Sequence, residues 1–173
     1  RLIYPREKLE IIVASDASSD ATDQIVDGYR SLGVRLIRAS QKMGKASVQK
    51  LAVETATGQI LVFSDVATLL LPQGISNIVR NFADSSIGCV SSVDRFIDQD
   101  GKISGEGIYV RYEMLLRNFE TRVNSLVGLS GSFFAVRREL CADWDIHLPS
   151  DFNILLKTVQ SGLRGVSDPE SVG

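Results

Sequence analysis

The sequence predicts an α/β domain with a mostly parallel central sheet flanked by helices. Three observations predict it. Short apolar runs alternate with stretches at helical spacing through the first half of the chain. Turn and stop residues, chiefly glycine, punctuate them. Two of the apolar runs end in acidic segments: Glu10-Ile11-Ile12-Val13-Ala14-Ser15 enters Asp16-Ala17-Ser18-Ser19-Asp20, and Gln59-Ile60-Leu61-Val62-Phe63-Ser64 enters Asp65-Val66-Ala67-Thr68. In an open parallel sheet the carboxyl ends of the strands share one rim, and ligands bind along it. Carboxylates repeated there point to a polar ligand, a metal ion, or both.

The elements follow in order. Residues 11–14 are a short run rich in β-branched side chains and read as a buried strand. Residues 21–32 read as a helix with Ile25, Val26, Tyr29 and Leu32 on one face; Ser18, Ser19 and Asp20 offer N-cap oxygens and Gly33 a stop. A strand at 34–38 precedes a helix at 45–57 with Val48, Leu51 and Ala52 inward, and Gly58 ends it. Residues 59–64 are the most hydrophobic strand. After Pro72, a helix at 73–83 carries Ile75, Ile78, Val79 and Phe82 at amphipathic spacing, and 87–93 is a strand. Asp98-Gln99-Asp100-Gly101 is turn chemistry for a surface hairpin or loop. A helix at 108–126 directs Tyr112, Leu115, Leu116, Phe119 and Val123 inward, and 132–136 is strand-like. The last helix, 151–161, has Phe152, Leu155, Leu156 and Val159 on one side and is closed by Gly162.

Composition narrows the function. The 173 residues suffice for one domain with a real core. A net charge of −2 with scattered basic residues argues against a nucleic-acid partner. Cys89 and Cys141 have neither zinc nor disulfide spacing, which fits a reducing compartment. The single histidine, His147, excludes a histidine metal cage and a Ser/His/Asp triad by count. No uncharged run approaches the ~20 residues of a membrane helix.

Each acidic or basic segment carries two readings. Asp16 to Asp20 reads as a strand-to-helix turn with acids at a helix N-terminus, or as Asp16 accepting from a ligand N–H or hydroxyl. Asp16 and Ser18 also fit the Asp-x-Ser-x-Ser pattern of a metal-dependent adhesion site, but Asp20 stands in the last serine's place. Lys42-Met43-Gly44-Lys45-Ala46-Ser47 fails as a P-loop, with Ala39 for the first glycine and Ala46 for the Ser/Thr metal ligand. Lys45 is either a solvated lysine or a charge that steers a diphosphate. Asp65 is a turn cap or a carboxylate held at the rim. Ser150-Asp151 caps the last helix, or holds a carboxylate there as a general base.

Taken together and in order, these segments resemble family 2 glycosyltransferases of the GT-A fold. Residues 9–22, LEIIVASDASSDAT, are similar to the family's "EIIVVDDGSTDGT" strand and turn. Residues 44–50, GKASVQK, resemble "GKAxALN", and 58–68, GQILVFSDVAT, resemble "GEILVFLDADT" with its DxD element. Residues 128–138, GLSGSFFAVRR, are similar to "GxxGAFxAIRR", and Ser150-Asp151-Phe152 with Gly162-Leu163-Arg164 to "EDxxLxxRLxxxGYR". The resemblance spans nearly the whole chain. It implies one catalytic domain over 1–173, with a nucleotide-binding part at about 1–70 and an acceptor part at about 71–173.

The activity so implied is inverting transfer of a sugar from a nucleotide-sugar, usually a UDP-sugar, to a polysaccharide or lipid-linked acceptor. By the same resemblance Asp16 contacts the uracil, Lys45 lies near the nucleotide, and Asp65 faces the donor ribose and sugar. Gly131 and Ser132 lie near the acceptor, and Asp151 removes its proton. A divalent ion, Mg²⁺ or Mn²⁺, on the diphosphate at Asp65 is implied as a Lewis acid. The parent protein is expected at the cytoplasmic face of a membrane, held by segments outside this chain.

The departures are specific. Ala67 stands where the second acid of the DxD element belongs, and a methyl group cannot coordinate the ion. Ser150 replaces the acid before the base, and Lys50 a common asparagine. The family's opening strand has no counterpart before Arg1, so the chain is expected to be a fragment, weakly active or inactive alone. Two alternatives stay open: a degenerate module that binds a nucleotide or a partner without turnover, and a metal-dependent adhesion-type domain.

Overall fold

The computed structural model describes residues 2–93, 96–97, 103–104 and 108–172. In chain order its main elements are β1 (Ile11–Ser15), α1 (Thr22–Asp27), β2 (Val34–Arg38), α2 (Lys45–Thr55), β3 (Ile60–Ser64), α3 (Gly74–Arg80), β4 (Ile87–Val93), β5 (Phe96–Ile97), β6 (Ile103–Ser104), α4 (Ile108–Val123), β7 (Phe133–Arg137), α5 (Ser150–Gln160) and β8 (Arg164–Val172). The expected α/β architecture is present and helices flank the sheets, but the four-stranded sheet is mixed and not mostly parallel as expected, because β7 enters it antiparallel between β3 and β4.

The strands fall into separate sheets. β1 and β2 pair in parallel, from Ile11 opposite Val34 to Ser15 opposite Arg38. Four more lie in the order β3-β7-β4-β8. Pairing there is mixed: β4 and β8 are parallel, while β7 runs antiparallel to both its neighbours. β5 and β6 form a short antiparallel pair, and the expected turn at residues 98–101 lies outside the described residues.

Strand alternation divides the core between the two faces of the four-stranded sheet. Phe134 and Val136 of β7 point into one cluster with Leu61, Cys89, Trp144, Ile154 and Leu155. Phe133 and Ala135 point into the other, with Ile75, Ile78, Val90 and Val166. Phe63 stacks on Phe134 with ring centroids 4.7 Å apart and touches Trp144 at 5.6 Å, which joins the outer strand to the first cluster. Both cysteines are free and buried; burial pushes the Cys89 thiol up to about 11 and the Cys141 thiol up to about 12, so both stay protonated at neutral pH.

Several expectations need correction. α1 is only one and a half turns long, and its start is made by the Thr22 N–H donating to Asp20 Oδ1 at 3.0 Å, with no bond from Ser18 or Ser19. The apolar stripe of α4 does not face the core: Tyr112, Leu115, Phe119 and Val123 are more than half exposed and Leu116 nearly so. On α5 the buried face is Ile154, Leu155 and Thr158, while Phe152, Leu156 and Val159 lie on the exposed one. At 100° per residue, positions 154, 155 and 158 form one stripe and 152, 156 and 159 the next; the periodicity alone does not say which stripe meets the sheet. Ser150 is buried and begins α5 but makes no capping bond. The closing strand β8 was unexpected. Gly165, Ser167, Asp168, Pro169 and Ser171 erase any apolar run in it. It exists because it pairs with β4, and as an edge strand it tolerates Pro169.

Candidate active site

The geometry of the rim follows from strand registers. Parallel pairing carries β1 and β2 to a common end, where the Ala39 N–H donates to Ser15 O at 2.9 Å and extends the ladder by one bond. Asp16 stands directly beyond. Its Oδ1 accepts the Met43 N–H at 2.7 Å and its Oδ2 the Gly44 N–H at 3.0 Å. Gly44 has φ +90°, a conformation open to glycine, and this turn leads from the held loop into α2. Asp16 therefore fixes the loop before α2, and through it the base of Lys45. The Met43 and Gly44 amides were missed as site groups. The glycine at the failed P-loop position was the one available signal.

Antiparallel pairing of β3 with β7 builds the second part. Ser64 lies opposite Phe133, and one step further the Asp65 N–H donates to Ser132 O at 2.9 Å. This register sets Asp65 beside the Gly131-Ser132 segment. Lys45 bridges the two halves: its Nζ lies 2.7 and 2.9 Å from the two Asp65 carboxylate oxygens and donates to Gly131 O at 3.1 Å. Both side chains are about half exposed, at 51% and 43%.

The third part is Asp151, in the first turn of α5. Its Oδ1 accepts the Phe152 N–H at 2.9 Å. Its Oδ2 faces Gly131 so closely that a β-carbon there would sit 3.2 Å away. The segment carrying Gly131 is held from beneath by buried Ser91, whose Oγ accepts the Ser130 N–H at 2.7 Å and a bond from Arg117 at 3.2 Å. Ser130 Oγ and Ser132 Oγ lie 2.9 Å apart. Ser91 and Arg117 also escaped the sequence reading, because their spacing to residue 130 carries no pattern.

The contacts thus run in series through Asp16, Met43-Gly44, Lys45, Asp65, Gly131 and Asp151, with Ser132 beside Gly131. A separate cavity of about 860 Å³ lies at the other end of β3, lined by Glu54, Ile60, Arg137 and Glu139 among others, and includes none of these groups.

A divalent ion fits this donor set poorly. Asp65 supplies one carboxylate, already engaged through both oxygens by Lys45, and Ala67 two residues on presents a methyl group. Among the described residues no three His, Cys, Asp or Glu side chains come together as a metal cluster. Nor do Asp16 and Ser18 gather further acids into an adhesion-type cluster among the described residues; Asp16 holds two main-chain N–H groups, and Ser18 Oγ accepts from buried Ser15 at 3.1 Å.

Comparison with known proteins agrees with this architecture. The model of the family described as glycosyl transferase family 2 matches residues 2–144. A mannosyltransferase from Pyrobaculum calidifontis, solved with GDP-Man and Mn²⁺, superposes with a TM-score of 0.85 at 27% identity, over 99% of this chain and 48% of its own. GalNAc-T7 with UDP, GalNAc and Mn²⁺ gives 0.70 at 20% identity, over 97% and 37%. Residues 1–349 of TarS from S. aureus with UDP give 0.66 at 17% identity, over 96% and 50%. The chain spans half or less of the length of each of these. Among curated proteins none matches the sequence significantly. No helix of the described residues is long and apolar enough to cross a membrane.

Proposed function

Since the chain belongs to glycosyl transferase family 2 and has the GT-A fold, we propose that it transfers a sugar from a nucleotide-sugar donor with inversion, with Asp151 as the general base. The observation that carries this reading is the bridge made by Lys45, which joins Asp65 at the donor side to Gly131, against which Asp151 rests. In this reading the nucleobase lies at Asp16. Each of its oxygens keeps a further lone pair after accepting one main-chain N–H, so the carboxylate can still accept from a uracil-type N–H. Asp65, at the end of β3, faces the donor ribose and sugar in the same reading. The acceptor, a saccharide or lipid-linked hydroxyl, enters over Gly131 and Ser132. Asp151 Oδ2 takes its proton as the oxygen attacks the anomeric carbon, and the nucleoside diphosphate departs on the opposite side.

A UDP-sugar is the donor the motif resemblance favours, and the parent protein works at the cytoplasmic face of a membrane in this reading. The non-catalytic alternative draws on Ala67 and on the lysine closed over Asp65. Kinetics separate the two. In the protein at its full natural length, Asp151→Asn is expected to leave donor affinity within about twofold and to lower kcat by roughly 10²–10⁴. Unchanged kcat would remove Asp151 from the base role. Tight nucleotide binding with no transfer or donor hydrolysis by the unmutated protein would establish the non-catalytic module.

A further inference from the structure

We infer that the Lys45 ammonium, and not a divalent ion, neutralises the donor's diphosphate in this protein, so that nucleotide binding is metal-independent. The inference rests on the nucleotide-sugar reading above and names the cation at that site. Three observations point the same way. The only acid in the Asp65-Val66-Ala67 segment is Asp65, and Ala67 offers no ligand atom. Both oxygens of Asp65 already meet a fixed positive charge at 2.7 and 2.9 Å, and Gly131 O adds a third contact to the same nitrogen at 3.1 Å. The two Asp65 oxygens belong to one carboxylate and can share a proton, so the half-exposed ammonium, with three protons to donate, keeps one for an anion.

A divalent ion at Asp65 would have to displace that lysine and then find its remaining oxygen ligands from water, phosphate and main-chain carbonyls, with no second carboxylate in the segment. It would also bring two positive charges next to a third at Nζ. A lysine avoids both costs. It is tethered, needs no dehydration of a multiply charged ion, and holds an N–H donor between Asp65 and Gly131, where the nucleotide-sugar reading sets the donor's diphosphate. The same ammonium then faces the charge that builds on the leaving diphosphate as the glycosidic bond breaks, a stabilisation supplied by a preorganised donor.

Calorimetric titration of the full-length protein with UDP and GDP, once in EDTA and once in millimolar MnCl₂, tests the inference. Affinities within about threefold of each other in the two buffers are expected. Lys45→Gln should weaken the nucleoside diphosphate at least tenfold while changing the affinity of the bare nucleoside less than threefold, and Lys45→Arg should recover part of the loss. The buffer comparison needs no variant, so a poorly folded Lys45→Gln protein does not blunt the test. Binding that appears only with Mn²⁺, or a folded Lys45→Gln protein that binds like the parent, overturns the metal-free role and leaves the nucleotide-sugar reading standing. Failure of both nucleotides to bind in either buffer overturns that reading, and the inference with it.

Discussion

Gly131→Ala probes the proposed base with a single methyl group. Gly131 does not adopt a left-handed φ, so alanine is compatible with its backbone, and its carbonyl can keep accepting from Lys45. The added β-carbon would stand 3.2 Å from Asp151 Oδ2, against an ordinary contact of 3.4–4 Å. Asp151 is partly exposed at the start of α5, so its carboxylate yields more easily than the β7 backbone behind Gly131. The shift required is about 0.2–0.5 Å. A misplacement of 1 Å at a reacting group costs about 10²-fold in rate, so a few tenths should lower kcat by about three- to tenfold. Stability should change by less than about 1 kcal/mol, or roughly 2–4 °C in Tm for a domain of this size. The assay is initial-rate transfer or donor hydrolysis at saturating donor, with nucleotide affinity measured in parallel. Unchanged kcat in a folded variant would refute the placement of Asp151 beside the reacting hydroxyl. A fall in nucleotide affinity equal to the fall in kcat would show instead that the methyl group disturbs the Lys45 bridge.

Two further predictions concern stability. In Gly165→Ala the new β-carbon would lie 2.7 Å from Leu155 Cδ1 and 3.0 Å from Cys89 Sγ inside the first core cluster. Overpacking of this kind costs about 1–3 kcal/mol, and a urea melt showing less than about 0.5 kcal/mol would mean the core there is looser than described. Glu10 ties the start of β1 to the turn before β3 by accepting from Thr57 N–H at 2.9 Å and Thr57 Oγ at 3.1 Å, with Arg35 alongside. The Thr57 N–H is the chief cause that holds its carboxyl below the usual carboxylate range. A lowered carboxyl stabilises the fold above its unfolded value and loses that contribution as pH falls through the folded one. Glu10→Gln should therefore cost about 1 kcal/mol at pH 7, and the gap to the parent should close as the pH drops below about 4.5. A gap that persists at acid pH would place the loss in shape and not in charge.

Much of the fold was legible because local rules and tertiary needs agree. The runs that became β1, β2, β3 and β4 are short, apolar and bounded by turn residues, and α2 and α3 carry their buried face in their spacing. β8 was not legible, because a strand with Gly165, Asp168 and Pro169 owes its conformation to the ladder it makes with β4 and to no property of its own residues. α4 misled for the opposite reason. Its regular apolar stripe promises burial, yet nothing in the described residues covers it. The candidate site divides the same way. Asp16, Asp65 and Asp151 stand at the ends of recognisable elements, whereas the Met43 and Gly44 amides, Ser91 and Arg117 act through bonds that span up to 39 residues.

By itself the sequence determined the kind of protein: an α/β nucleotide-sugar transferase fold with acids at strand ends, a lysine at the head of a helix, and an alanine where a metal ligand was expected. Only the tertiary structure decided what that lysine does. Antiparallel pairing of β3 with β7 puts Asp65 beside Gly131, and the grip of Asp16 on the loop before α2 aims Nζ at both. Spacing along a chain encodes which face a residue takes within its own element. It does not encode which distant element that face will meet, because that is set by strand order and register, summed over the whole core.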